Sequence, residues 1–224
     1  MKITVFRLET KNINYWKNDE AKTVGSTYNY FFGFYLDEKS QFTKMMNDLL
    51  SFDEINPQKN TLSDIHKFIK NNDYLKFVDF FERTKKHNIY KNNPIFIDKE
   101  FGQLIRELTL ESIRLDKYPA YPSRQTCLYC IPDEKGISYW KNRINSKSKD
   151  YQLVELEIEG DTFVGNDDFL IRYEGDIETY KENLINYWDI EGSVKMIESE
   201  ILFNGTARCI RVIEENNMTS NSES

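Results

Sequence analysis

The sequence predicts an α+β fold with a mainly antiparallel sheet and helices packed on or beside it. Segments in which apolar and polar residues alternate occur near both ends of the chain, as expected for strands. Segments with apolar residues three and four positions apart fill the middle, which indicates helices. An Asn-Gly pair between two late apolar runs favours a hairpin. We therefore expect one domain over residues 1–213, with a helical segment over 38–116 after the first strand.

The first strand is predicted over residues 2–10, KITVFRLET, because apolar residues alternate there. In that strand Arg7 falls on the face that begins with Ile3 and Val5. Residues 27–37, TYNYFFGFYLD, are rich in aromatic side chains. They predict either a strand with a bulge at Gly33 or a buried segment that lines a pocket.

The helical segment is predicted from apolar residues that recur on one helix face. These residues are Phe42, Met45, Met46, Leu49 and Leu50, then Leu62, Ile65, Phe68 and Ile69, then Leu75, Val78 and Phe81, and finally Phe101, Leu104, Ile105, Leu108 and Leu115. Thr61 or Ser63 is a possible cap for the second of these helices.

The second half of the chain alternates between the two kinds of structure. Residues 118–125, YPAYPSRQ, contain two prolines and are expected to be irregular. The segments that follow predict a strand at TCLYCI, a helix over 134–145, a strand over 151–159 with its glutamates in solvent, and a helix over 176–188.

The last predicted element is a hairpin over residues 198–213, ESEILFNGTARCIRVI, with Asn204-Gly205 as a two-residue type I′ turn. Glu198 and Glu200 at its start point the same way on a strand, so their carboxylates repel each other. Such a pair indicates either a solvated strand end or a site that needs negative charge.

Composition limits the classes of function. The formal net charge is −7, which works against non-specific nucleic-acid binding. No apolar run approaches the roughly 20 residues that cross a bilayer, and MKITVFRLETK lacks a signal-peptide core. We predict a soluble cytoplasmic protein with no membrane partner and a disordered tail over residues 214–224.

The three cysteines are too few for a disulfide framework. Cys127 and Cys130 form a C-x-x-C, but strand alternation places them on opposite faces. Neither a second C-x-x-C nor a nearby histidine completes a zinc site. We therefore predict buried thiols and no metal.

Three separated pieces of the sequence together resemble a known family. They are Arg7 in the first strand (FRLE), Ser123 ahead of a middle strand (PSRQTCLYC), and Glu198 and Glu200 in E-x-E before a late strand (ESEILFNG). This order resembles the ADP-ribosyltransferases of the Arg–Ser–Glu type, and in particular a small bacterial and phage family with that core. The resemblance implies a split antiparallel sheet with variable helices after the first strand.

The resemblance also implies roles for these residues. Glu200 would stabilise the positive charge that develops when the nicotinamide–ribose bond of NAD breaks, and Glu198 would be the general base toward the acceptor. Arg7 would bind NAD through its diphosphate or ribose. The usual middle motif is Ser-x-Ser, whereas this chain has Ser123-Arg-Gln-Thr126, so either hydroxyl could fill that position.

The function implied is an NAD-dependent ADP-ribosyltransferase with a protein or nucleic-acid acceptor. The departure at the serine motif supports an alternative, a protein of the same fold that binds without catalysis, for example in phage–host or toxin–antitoxin conflict. Each predicted residue also has a purely structural interpretation. Arg7 and the glutamates can be ion-paired or solvated residues, and Ser123 after a proline can be a turn residue.

Overall fold

The computed structural model describes residues 2–10, 14–144, 150–189 and 198–216, which divide into two compact units. The sheet unit lies within Met1–Thr27, Ala120–Asp168 and Ile190–Ser224, and the helical unit within Tyr28–Pro119 and Phe169–Asp189. Each unit is assembled from separate stretches of the chain. The single domain expected over residues 1–213 stays a prediction.

The strands of the sheet unit form one open antiparallel sheet. In the described part of the chain they are β1 (Lys2–Glu9), β2 (Ala21–Val24), β3 (Leu128–Cys130), β4 (Tyr151–Asn166) and β5 (Ser199–Asn216). Their order is β1-β4-β5-β2, and β3 also pairs with β5. Because β4 pairs with β5 along its whole length, β3 and β2 must share the other edge of β5. The predicted mixture of helices with an antiparallel sheet is therefore confirmed.

One face of this sheet carries the core of the unit. Its buried apolar residues include Val5 on β1, Leu128 and Cys130 on β3, Val154, Leu156 and Ile158 on β4, and Ile201, Phe203, Ala207 and Cys209 on β5. On β4 the inward and outward positions alternate as the sequence predicts, with Glu155 and Glu157 partly exposed. The alternation thus decides which face each strand buries.

The predicted hairpin turn at Asn204-Gly205 is wrong, because β5 continues through this pair without reversing. Asn204 lies opposite Asp161 of β4, and Gly205 lies opposite Gly160. Gly205 has a φ of +145°, a value that favours glycine. A Cβ at Gly205 would collide with the carbonyl oxygen of Glu159, so glycine here permits close approach of two strands.

A feature of the sequence already favours the continuous strand. Ile201 and Phe203 before the Asn-Gly pair, and Ala207 and Cys209 after it, all occupy odd positions and bury the same face. That spacing is what one uninterrupted strand requires. Pairing with a partner along the full length outweighs the local turn preference.

The described helices agree with most of the predicted ones. They are α1 (Tyr30–Gly33), α2 (Gln41–Leu50), α3 (Leu62–Lys70), α4 (Tyr74–Lys86), α5 (Asn88–Asn92), α6 (Pro94–Lys117), α7 (Glu134–Arg143) and α8 (Ile177–Trp188), of which α7 belongs to the sheet unit. Thr61 caps α3 in a reciprocal capping box with Asp64. Helices α2 to α6 fall within the predicted helical segment over residues 38–116 or end one residue beyond it, and α1 precedes that segment.

The aromatic segment 27–37 is not a strand. It contains the short helix α1, capped by Asn29, whose side chain accepts from the Phe32 amide at 3.0 Å. Phe32 and Tyr35 are buried, and the Tyr35 ring packs edge-on against Phe42 at 5.0 Å between centroids. Packing of rings against neighbouring helices decides this conformation, because aromatic content alone favours a strand.

The C-terminal strand extends further than expected. Residues 214–216, the first of the predicted tail, belong to β5, whereas 217–224 lie outside the described residues. Within the described ranges, no helix is both long and apolar enough to span a membrane.

Candidate functional site

The three segments that carry the family resemblance lie on neighbouring strands of the sheet unit. Strand β3 follows residues 122–126, PSRQT, which we call the serine segment, and pairs with Ile201–Phe203 of β5. Just after β3, Ile131 forms a bridge with Phe6 of β1, in which the Phe6 amide donates to the Ile131 carbonyl at 2.9 Å. The long-range pairing therefore brings together segments that are far apart in sequence.

Glu200 is buried at the start of β5. It is 5% exposed and lies opposite Gly165 of β4. Its Oε1 accepts a hydrogen bond from Nη1 of Arg124, which is 4% exposed. The predicted catalytic carboxylate therefore forms a buried ion pair with a residue of the serine segment.

Arg124 is itself held by the strand that follows it. Its guanidinium carbon lies 5.2 Å from the centre of the Tyr129 ring. The Tyr129 hydroxyl donates to the Arg124 carbonyl at 2.6 Å, and the Cys127 thiol donates to the same oxygen at 3.7 Å. Both ends of Arg124, side chain and carbonyl, are thus fixed against β3.

Glu198 immediately precedes β5 and is partly buried. The Glu198 charge interacts electrostatically with the Tyr139 hydroxyl of α7, which donates a hydrogen bond to Asp167 at 2.8 Å. Burial raises the pKa of Tyr139 well above its usual range, the hydrogen bond to Asp167 adds to the shift, and Glu198 contributes less. Glu198, Tyr139 and Asp167 therefore belong to one electrostatic neighbourhood.

Arg143 joins this neighbourhood to Glu200. Its Nε donates to Asp167 at 2.9 Å, and the side chain is 53% exposed. Hydrogen bonding to Asp167 is the main cause that raises the pKa of Arg143, and the Glu200 charge adds to it. The start of β5, which we call the head of β5, thus combines three carboxylates with two guanidinium groups. They belong to Glu198, Glu200 and Asp167, and to Arg124 and Arg143.

Arg7 lies between β1 and β3 and is engaged on both sides. Its Nε and Nη2 donate to Oε2 of Glu9 at 3.1 and 2.6 Å. Its Nη1 donates to the Tyr129 carbonyl at 2.7 Å. The structure therefore places Arg7 beside β3, on the sheet face that Val5 and Cys130 bury, where it ties β1 to β3. Glu200 lies on the opposite face, because its neighbour Ile201 buries the first one, so the structure does not bring Arg7 and Glu200 to one face.

Ser123 and Thr126 form the turn before β3. The Ser123 hydroxyl accepts from the Gln125 amide at 3.2 Å, and the Ser123 carbonyl accepts from the amides of Thr126 and Cys127 at 3.2 and 2.9 Å. These bonds shape the turn that carries Arg124. The choice between Ser123 and Thr126 as the middle-motif hydroxyl stays open.

Sequence reasoning missed Arg124, Tyr139 and Asp167 as members of this neighbourhood. For Arg124 a signal existed, since a charged residue stood inside the serine segment just ahead of a strand expected to be buried. Tyr139 and Asp167 gave no such signal, because their proximity depends on how α7 packs beside the sheet.

The cysteines are buried thiols, as predicted. Cys127 and Cys130 are each 2% exposed. Burial raises the pKa of Cys130 to about 12 and also raises the pKa of Cys127. In the described ranges no group of three or more His, Cys, Asp or Glu residues is arranged to hold a metal.

Comparison with known proteins identifies a family for the chain. No curated protein matches the chain. A family model described as a protein of unknown function (DUF2441) matches residues 5–215, a stretch that runs from β1 through β5. The chain therefore belongs to the DUF2441 family.

Proposed function

We propose that the protein is an NAD-dependent ADP-ribosyltransferase, and that its active site lies at the head of β5. The supporting observation is the buried carboxylate of Glu200, beside the strand that follows the serine segment. The same strand accepts a hydrogen bond from Arg7 of β1. The three motif segments of the Arg–Ser–Glu pattern are thus linked through β3, while the Arg7 and Glu200 side chains extend from opposite faces of the sheet.

The chemistry needs a carboxylate of this kind. Breaking the nicotinamide–ribose bond passes through an oxocarbenium-like transition state, as glycoside cleavage does. A fixed negative charge near the ribose stabilises the positive charge as it develops. Burial excludes water and strengthens that interaction, and Glu200 is 5% exposed.

The remaining residues have roles toward the two substrates. Glu198 acts as general base on the acceptor, which is a protein or a nucleic acid. Arg7 binds the diphosphate of NAD, and Ser123 or Thr126 helps to hold Arg7 or the ribose. In this proposal Arg7 exchanges its contact with Glu9 for phosphate oxygens. We place the reaction in the cytoplasm of a bacterium or of a phage-infected cell.

Nicotinamide release tests the proposal. Purified protein is incubated with NAD, and nicotinamide is quantified by chromatography for the wild type and for Glu200→Gln. We expect release by the wild type and a loss on the order of 100-fold or more in the variant, as for other fixed transition-state contacts. Glu157→Gln is the matched control, because Glu157 lies on β4 and pairs with Lys2 at the surface.

Two results would contradict the proposal. One is a wild type that neither releases nicotinamide nor transfers label from NAD to any acceptor. The other is a Glu200→Gln variant that retains the native melting temperature and the wild-type rate.

A second candidate is an ADP-ribosyltransferase-like binding protein without catalysis. The hydrogen bonds of Arg7 to Glu9 and to the Tyr129 carbonyl favour this alternative, because they give the Arg7 guanidinium a structural role that needs no ligand. Under this alternative the melting temperature rises with the logarithm of the NAD concentration above Kd, yet no nicotinamide is released. Thermal denaturation and nicotinamide analysis on the same samples separate the two functions.

A further inference from the structure

We propose that Arg124 is a positioning residue that holds the Glu200 carboxylate in its reactive orientation. This inference rests on the function proposed above and names a residue for which the Arg–Ser–Glu pattern provides no role. Arg124 lies between the two candidate hydroxyls of the serine segment, Ser123 and Thr126, and contacts Glu200 directly.

The first argument is the contact itself. Arg124 and Glu200 are 76 residues apart in sequence, and their side chains are 5% and 7% exposed. A buried carboxylate without a partner is strongly disfavoured, so its charge depends on a nearby cation. Arg124 makes this contact, and its guanidinium lies against the carboxylate that the proposed reaction needs.

The second argument is that Arg124 is rigidly supported. The Tyr129 ring lies against its guanidinium, while the Tyr129 hydroxyl and the Cys127 thiol both donate to its carbonyl. The planar guanidinium presents donors in a fixed geometry, unlike the ammonium of lysine. A support of this kind can hold a carboxylate to within about 0.5 Å, as an active site requires.

The other nearby arginines are less suited to this role. Arg7 is engaged by Glu9 and the Tyr129 carbonyl. Arg143 is 53% exposed, donates to Asp167 and interacts electrostatically with Glu200. The geometry therefore favours Arg124 over both.

The test compares Arg124→Gln and Arg124→Lys with the wild type. For each protein, kcat and KM for NAD are measured by nicotinamide release, the Kd for NAD by calorimetry, and the melting temperature by circular dichroism. Misplacement of a reacting group by about 1 Å costs on the order of 100-fold in rate. We expect a kcat loss of that order in Arg124→Gln, an unchanged Kd for NAD, and partial recovery in Arg124→Lys.

Two further variants serve as controls. Arg211→Gln removes an arginine that is 61% exposed and pairs with Glu155 on the outer part of the sheet, and it should behave as wild type. The double variant Arg124→Gln/Glu200→Gln removes both charges. It should melt at a higher temperature than Arg124→Gln, because position 200 then carries no buried charge that has lost its Arg124 contact, and it should stay inactive. This comparison reports the pairing even if the single variant is poorly folded.

Different results would overturn the inference in distinguishable ways. A folded Arg124→Gln with unchanged kcat removes the positioning role and leaves the proposed function intact. A weaker Kd for NAD with unchanged kcat assigns Arg124 to phosphate binding instead. A wild type that neither binds NAD nor releases nicotinamide overturns the proposed function, and the inference falls with it.

Discussion

The sheet unit and the helical unit each bury a glutamate to the same extent but compensate its charge differently. Glu200 on β5 and Glu100 on α6 are both 5% exposed. Glu200 contacts Arg124, itself buried, whereas the cation nearest Glu100 in the described structure is Lys99, 3.6 Å away with a side chain 60% exposed. Burial raises the pKa of Glu100, and Lys99 opposes the shift only in part.

Glu100 is buried beside an exposed lysine, whereas Glu200 is buried against an arginine that is itself buried. A solvated ammonium such as that of Lys99 needs no special surroundings and contributes little. A buried guanidinium must be supported by other groups, as Tyr129 supports Arg124. The helical unit also has a buried pair, Glu111 with Arg114, but these residues lie three positions apart on one helix. The Arg124–Glu200 pair instead joins two segments 76 residues apart, and this is where we place the proposed site.

Removal of each counterion is the strongest test of this comparison. Arg124→Ala leaves Glu200 buried without its contact and should lower the free energy of unfolding by about 3–5 kcal/mol. Lys99→Ala, its counterpart in the helical unit, should change it by less than about 1 kcal/mol. Urea denaturation measures both. Equal effects would show that the buried pair has no special energetic role.

The glycines provide a second comparison between the units. A Cβ at Gly160, φ +156°, would collide with the Asn204 carbonyl oxygen, whereas a Cβ at Gly102 of α6 meets no atom within 4 Å. Gly160→Ala should therefore destabilise the protein by about 2–3 kcal/mol. Gly102→Ala should stabilise it by about 0.5–1 kcal/mol, since alanine favours the helix. Thermal denaturation of the two variants measures both changes in stability. A Gly160→Ala variant as stable as the wild type would refute the close approach of β4 and β5.

The smallest expected effect concerns the pH dependence of Glu100. Because its pKa is raised in the folded state, its stabilising contribution is complete below the ordinary glutamate value of about 4.3 and is lost as pH rises through the folded value. Glu100→Gln should therefore gain about 1 kcal/mol over the wild type at pH 7 and little at pH 4. Urea titrations at both pH values measure this.

The control for that experiment is Glu157→Gln, which alters a glutamate on the partly exposed face of β4. A gain at pH 7 that is equally large in both variants would attribute the effect to net charge instead of burial. No gain in either would mean that the Glu100 carboxyl is compensated in the folded protein.

The elements predicted from the sequence are those specified by local pattern. The apolar spacing of residues 42–50 and 62–69 decided α2 and α3, and Thr61 with Asp64 decided where α3 begins. The alternation in residues 2–9 and 151–159 decided β1 and the first half of β4. These patterns suffice because the period of a helix or strand is itself a local property.

The errors occur where distant partners outweigh local preference. Asn204-Gly205 favours a turn, yet β4 on one side and β2 and β3 on the other hold it in a continuous strand. The candidate site shows the same division. The sequence identified Glu200 and the serine segment, whereas the residue of that segment that contacts Glu200 is Arg124.

The sequence by itself determined most of the helices, strands β1, β3 and the first half of β4, and the faces that these elements bury, but not strand β2 or the continuity of β5. The tertiary structure alone decided that Glu200 meets Arg124 and that Arg7 is engaged by Glu9 and β3. The physical reason is the distance along the chain over which each kind of interaction acts. Backbone periodicity acts over a few residues, while a contact between residues 76 positions apart exists only after β3 has paired with β5.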